Sequence, residues 1–483
     1  MTSKYGRSVK CLFVLLLSLT LIRNVSANSA QQYWEGTDAS GQIVTEGPSP
    51  LIIDSEELTF EIHQFPQTDI GSTSQLQEYT DHVVAEYTLS NPSDYTVTAR
   101  LFFPFGHVPS YISILDDRGI PQFYPDSSSR GVSVNGQEVE YTLRHSYSHY
   151  HKKFDIQKDL SRLKEEVTDH AFFRQDLPVH FYHFKVNGED LPEDPLLAVT
   201  MDSADKSRVC YFKDIRSQSG NGNEITATLY SDMNDDCYHV TVFGEALAEL
   251  VDWGVYSSSN LTEKNRLEAS VELTEHRVSN LRDELLKLKP QGNEISGTDW
   301  INAGLDFLEE TAGEGPLLSE IGIYTDLSHL LMRWIEYEIT LQPGESVVNT
   351  VKAPLYPSID TGYEPAVYQY TYLLSPVSTW ASTGSLRVHL NTEFVMLEDQ
   401  GWIRTGNGYM KSMEEFPQSE LDFRLCSSAH PQKQSYANDL LSDPSGLLHS
   451  SGLMVSLVFI LILPILLLVL LYFVIHHWLR NKH

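Results

Sequence analysis

The sequence predicts an α+β protein rich in strand: an antiparallel, β-sandwich-like ectodomain, an α+β middle region and one C-terminal transmembrane helix. Three observations predict it. Apolar residues alternate with polar ones over 83–103 and again over 335–351, the two-residue period of half-buried strands. Between these stretches the apolar spacing becomes helical. Near the end, 453–475 is uncharged and almost wholly Leu, Ile, Val and Phe.

The N-terminus reads as a signal peptide over 1–27. Lys4, Arg7 and Lys10 precede the apolar run Cys11–Ile22, and Val25-Ser26-Ala27 offers a small-residue cleavage site, with Ala30 the alternative. Residues 28–47 read as a loose polar leader.

A β-sandwich-like domain is expected over 48–148. Val83, Ala85, Tyr87 and Leu89 alternate, Asn91-Pro92-Ser93-Asp94 turns, and Val97, Ala99, Leu101 and Phe103 alternate again. Asn135-Gly136 between β-prone residues signals a hairpin.

The region 150–325 is α+β. A helix is expected over Asp155–Thr168, and strands over 179–186, 224–230 and 238–243. Val278, Leu281, Leu285 and Leu288 predict a helix that Pro290 ends; Thr298 is the expected N-cap of the next.

A second β-rich unit is expected over 330–426, with strands at 335–341, 347–351, 368–374 and 385–394. It either stands alone or completes one sheet with the first, making the middle region an insertion. Residues 427–452 are Ser-, Asp- and Gln-rich and read as a stalk. At about 1.5 Å per residue, 453–475 is long enough to cross a bilayer. Arg480 and Lys482 suit a short cytoplasmic tail over 476–483. The expected localisation is therefore the cell membrane, single-pass.

Lys plus Arg number 34 against 65 Asp plus Glu. That balance argues against nucleic acid as a partner. Beyond the membrane itself, an extracellular protein or a polysaccharide is the expected partner class. Of four cysteines, one leaves with the signal; Cys210 and Cys237 are candidates for a disulfide, with Cys426 the odd thiol. His145, His149 and His151 form an H-x3-H-x-H string, the candidate metal ligands, with His170, His180 and His183 further on. An exposed polar segment is the competing reading, and no cofactor is assigned. Asp232 to Asp236 resembles a calcium loop but lacks its glycine and distant glutamate, so a solvated turn is preferred.

The catalytic templates G-x-S-x-G and H-E-x-x-H are absent, as is a phosphate-cradling Gly-rich loop. Tyr363, Tyr368, Tyr370, Tyr372 and Trp380 form either a binding platform or cross-strand pairs.

Three segments, SPLIIDSEELTFEI (49–62), YTLSNPSDYTVTARLFFPFG (87–106) and YTYLLSPVSTWASTGSLRVHL (370–390), resemble uncharacterised bacterial secreted or membrane-anchored proteins with an outward β-rich domain. They cover about a ninth of the chain. The resemblance implies a β-rich extracellular fold and no particular activity. The functional expectation is a non-enzymatic binding or cell-envelope protein. A membrane-tethered hydrolase acting on envelope polymers is the alternative.

Overall fold

The computed structural model describes residues 34–433 apart from short internal stretches, the longest being 67–79, 116–120, 149–153 and 319–326. The protein is β-rich, with several antiparallel sheets. In chain order the elements used below are β1 (Ile52–Glu61), β2 (His82–Ser90), β3 (Val97–Pro104), β4 (Thr142–Tyr147) and α1 (Ile156–Ser161). There follow β5 (Pro178–Gly188), β6 (Arg208–Phe212), β7 (Tyr238–Gly244), β8 (Ala269–Asn280), α2 (Leu281–Leu288) and α3 (Gly297–Ala312). The last are β9 (Leu331–Leu341), β10 (Ser346–Pro354), β11 (Val367–Leu373), β12 (Thr383–Asn391), β13 (Gly408–Met413) and β14 (Leu421–Cys426).

The largest sheet runs β10–β2–β1–β12–β13 through its middle. Strands from both ends of the chain therefore share one ladder. β2 pairs antiparallel with β10 over its whole length, Ser90 opposite Ser346 and His82 opposite Pro354. β1 pairs with β12 in parallel, which the antiparallel expectation did not contain. The alternating apolar residues of these strands point one way. They meet the inward residues of β3, β9, β11 and β14 in a single core. Phe60 lies edge-on to Phe423, with ring centroids 5.2 Å apart, and Asn349 Nδ2 donates to Tyr337 Oη at 2.7 Å. Each fully buried Leu, Val or Phe contributes about 1.5–3 kcal/mol.

Turn chemistry sets the registers. Asn135 and Gly136 have φ of 50° and 74°, as a tight hairpin turn requires. Asn91 is fully buried; its Nδ2 donates to the carbonyls of Tyr95, Leu341 and Gln342. One turn residue thus joins the β2–β3 turn to the β9–β10 turn.

The middle region builds its own sheet, β8–β5–β7–β6. One face packs on strands Leu196–Asp202, Glu224–Leu229 and Asp252–Tyr256 through Tyr182, Phe184, Val240 and Val242. Elsewhere, Val179, Val209 and Phe243 join Leu281, Trp300 and Leu305 of α2 and α3 in another core.

Several expectations need correction. Residues of the polar leader form strands: Trp34 pairs with Asp360, and Val44 with Phe102, and Ile43 and Val44 are fully buried. Gln432–Lys433, assigned to the stalk, pairs with Tyr363–Glu364. The helix expected over 155–168 stops at Ser161. Beyond it, tertiary partners take up backbone groups: Arg144 Nη2 donates to Lys164 O, and Asn302 Nδ2 to Glu166 O. The N-terminal hydroxyl of α3 is that of Ser296, which accepts from Asp299 N at 3.0 Å, and not that of Thr298.

The membrane assignment is also corrected. No helix among the described residues is long and apolar enough to cross a membrane. The longest, α3, has 16 residues and carries Asp299, Asp306, Glu309 and Glu310, against the roughly 20 apolar residues a span needs. This finding overturns the single-pass localisation and the transmembrane character read from the sequence. The segment 453–475 lies outside the described residues, as do the predicted signal peptide and tail.

Gly384 lies where β12 passes Asp54 of β1. A Cβ there would sit 1.9 Å from the Asp54 carbonyl oxygen, and backbone cannot give way cheaply. Gly384→Ala is expected to destabilise the protein by about 3 kcal/mol, read as a lowered urea midpoint. An unchanged midpoint would show that β1 and β12 do not approach this closely.

Candidate functional site

A cavity of about 430 Å³ lies at the end of the largest sheet. Glu61 at the end of β1, Asn391 at the end of β12 and Gly408 at the start of β13 stand side by side in register. Gly408 has φ of 146°, and a Cβ there would meet Leu390 O at 1.9 Å. Glycine is what lets the hairpin Ile403–Met413 fold close over the end of β12.

Both carboxylate oxygens of Glu61 are engaged. Asn391 Nδ2 donates to Oε1 at 2.7 Å, and His63 Nε2 lies 3.1 Å from Oε2. Thr392 N donates to Asn407 O at 3.0 Å, holding the far wall. Arg404 is exposed on that wall. Phe394, also lining the cavity, stacks on Phe65 with centroids 3.6 Å apart, and Phe65 stacks on Tyr368 at 3.8 Å. The cavity therefore offers amide, hydroxyl, imidazole and guanidinium groups beside an aromatic ring.

The residues singled out from the sequence fall elsewhere. His145 is buried in β4, and its Nδ1 has no hydrogen-bond partner. His149 and His151 lie outside the described residues. A neutral ring locked in the core is not placed like an open metal ligand. Its neighbour Arg144 joins β4 to α3 and β9. Arg144 Nε reaches both Asp299 oxygens at 3.2 Å, Nη1 donates to Glu336 Oε2 at 2.7 Å, and the His145 amide donates to Asp299 Oδ2 at 2.9 Å. Burial works against the Arg144 charge, but its bonds to Asp299 and Glu336 prevail and raise its pKa.

Cys210, Cys237 and Cys426 are free thiols. Cys210 faces Val242 in the β6–β7 ladder, while Cys237 precedes β7. Five strand positions, about 17 Å, separate the two, far beyond the roughly 7 Å between Cα atoms that a disulfide spans. Burial pushes the Cys210 thiol up to about 12.

Of the two readings of the tyrosine cluster, packing in the core is the one Tyr370 and Tyr372 follow. Tyr370 and Tyr372 are fully buried. Tyr372 Oη donates to the buried Glu56 Oε1 at 3.0 Å and lies 3.1 Å from Tyr87 Oη. Trp380 Nε1 donates to Ile43 O at 2.8 Å. His170 lies 2.8 Å from Asp306, and His180 Nδ1 lies 3.2 Å from His276 Nε2. His183 faces His239 across β5 and β7.

Sequence reasoning missed the cavity, because Glu61, Asn391 and Arg404 carry no local motif and meet only through long-range pairing. No protein-family model matches the sequence, and no curated protein matches it. A solved structure of a proposed nutrient binding protein from Legionella pneumophila is similar at 10% identity, covering 81% of this chain and 72% of that chain, with a TM-score of 0.24. A score so low bears on neither fold nor function here.

The burial of His145 has a pH consequence. Desolvation, with the Arg333 and Arg130 cations, pushes its pKa down to about 3 from the ordinary 6.5. Between these values the unfolded chain takes up a proton that the folded one refuses. Stability is therefore full above 6.5 and is lost as pH falls. From pH 7 to pH 5 this group alone removes about 2 kcal/mol. Urea melts of His145→Leu should show that much less acid loss than wild type. An equal loss in both would exclude His145 as the source.

Proposed function

We propose that this chain is a non-enzymatic binding protein whose terminal cavity takes a neutral, hydroxyl-rich ligand of the carbohydrate class. One observation carries the reading: Glu61, Asn391, His63, Arg404 and Phe394 line one open cavity, with donors and acceptors mixed beside an aromatic ring. Such a lining suits a ligand with polar edges and an apolar face. Glu61 uses both oxygens to position Asn391 and His63. That commits it to orienting side chains, where a hydrolase would need a carboxylate open to its substrate. The net charge of −31 disfavours a polyanion.

The same reading treats the two flanking β-rich regions as one sandwich-like unit, with 150–325 inserted between them. The register Tyr147 opposite Leu331 supports it, because the chain leaves and re-enters at paired positions.

A hydrolase is the second reading, favoured by the presence of both Glu61 and Glu393 in the cavity. Two carboxylates across a glycosidic bond are the usual apparatus for its cleavage.

Screening the purified protein against immobilised glycans, then titrating hits by calorimetry, distinguishes the readings. Binding without release of reducing ends is expected. Arg404→Ala should weaken a hit about tenfold, the loss of a charged hydrogen bond. Reducing-end release abolished by Glu393→Gln would establish the hydrolase. Hits indifferent to Arg404→Ala and Asn391→Ala would place the ligand elsewhere.

A further inference from the structure

The middle-region sheet carries a row of polar residues that its packing does not use. Glu275 of β8, His183 of β5 and His239 of β7 stand directly opposite one another across three strands. They alternate with Tyr182, Tyr238 and Val240, which fill the core on the other face. The row is partly open: the side chains of His183 and His239 are 30% and 20% exposed.

The turn before β7 adds a third donor. Asp236 N donates to Asp232 O at 2.9 Å, and Asp236 takes φ of 55°. This brings Asp235 back over the strand it precedes. Cys237 N donates to Asp235 Oδ1 at 3.0 Å and fixes the carboxylate, whose Oδ2 lies 3.0 Å from His239 Nε2. The ring centroids of His183 and His239 are 4.2 Å apart. One ligand atom each from His183, Asp235 and His239 lies within 4.8 Å of the others.

We propose that His183, His239 and Asp235 bind a divalent transition-metal ion, and that zinc is the ion their chemistry fits. Two borderline imidazole nitrogens with one carboxylate oxygen make a donor set that zinc accepts, whereas calcium and magnesium take oxygen ligands throughout. Bonds of about 2.0–2.1 Å in a tetrahedron place ligand atoms roughly 3.3 Å apart. The Asp235–His239 separation already matches, and rotation of the His183 ring closes the rest. Opposed strand positions hold their Cβ atoms about 5 Å apart, so the two rings are pre-set by the ladder.

Glu275 Oε2 lies 3.3 Å from His183 Nδ1 and is the positioning carboxylate for that ring. Asp232, 4.0 Å from His239 Nε2, is paired with Lys213, so that lysine's charge is offset beside the site. The turn read from the sequence as solvated is thus half of a site whose other half is the ladder. This inference is independent of the proposed carbohydrate cavity.

The test is zinc titration of the full chain after chelator treatment, by competition with a chromophoric chelator. One equivalent should bind at micromolar affinity or tighter. His183→Ala and His239→Ala should each weaken it at least a hundredfold, Asp235→Asn about tenfold to a hundredfold, and Glu275→Gln about tenfold. His180→Ala, on the opposite face, should leave it unchanged. Cobalt(II) should give visible absorption bands that vanish in His239→Ala. Circular dichroism without metal checks that each variant is folded. Absence of a stoichiometric zinc site, or one that survives both His183→Ala and His239→Ala in folded protein, would overturn the proposal.

Discussion

The structure depends on the closure of one sheet between the two ends of the chain. β1 and β2 lie in the first hundred residues, yet their partners are β12 and β10. Every inward residue of β2 is fully buried, and the residues opposite them on β10 and β1 are at most 4% exposed. Closing so long a loop costs conformational entropy, but that cost grows only slowly with length. The apolar area buried along four adjacent strands offsets it. The close pass of Gly384 over Asp54 and the buried Asn91 joint make the closure specific.

That closure also decides where the middle region sits. The chain leaves through β4 and returns through β9, which pair with each other. Arg144 on β4 then binds Asp299 on α3 and Glu336 on β9. Removing one partner of such a buried set leaves an uncompensated charge, which is why these junctions are costly to alter. Both candidate sites follow from ladder geometry. The cavity forms where three strands end in register, and the histidine row forms where three strands cross in register.

Much of this was legible in local pattern. The alternation of 83–103 and 335–351, the Asn135-Gly136 turn and the apolar faces of α2 and α3 are readable, because each depends on neighbours in sequence; Val278, expected on the α2 face, instead lies exposed on β8. What was not legible depends on distant partners. Nothing local marks β1 as the parallel neighbour of β12, or Ile43 and Val44 as core. The tyrosines of β11 fit a platform or cross-strand pairs equally by pattern, and the opposite layer buries them. The H-x3-H-x-H string has the spacing of a ligand set, but His145 belongs to the core. His183 and His239 are 56 positions apart and meet only because β5 and β7 pair. The apolar run at 453–475 suggested a membrane span, whereas no helix of the described protein is one.

Native-state hydrogen exchange by mass spectrometry tests the closure most directly. If β1, β2, β10 and β12 form one cooperative ladder, amides in 83–89, 347–353 and 386–390 exchange slowly and at one common free energy. Exchange of the N-terminal strands well ahead of 347–353 and 386–390, as a separately opening unit, would contradict it.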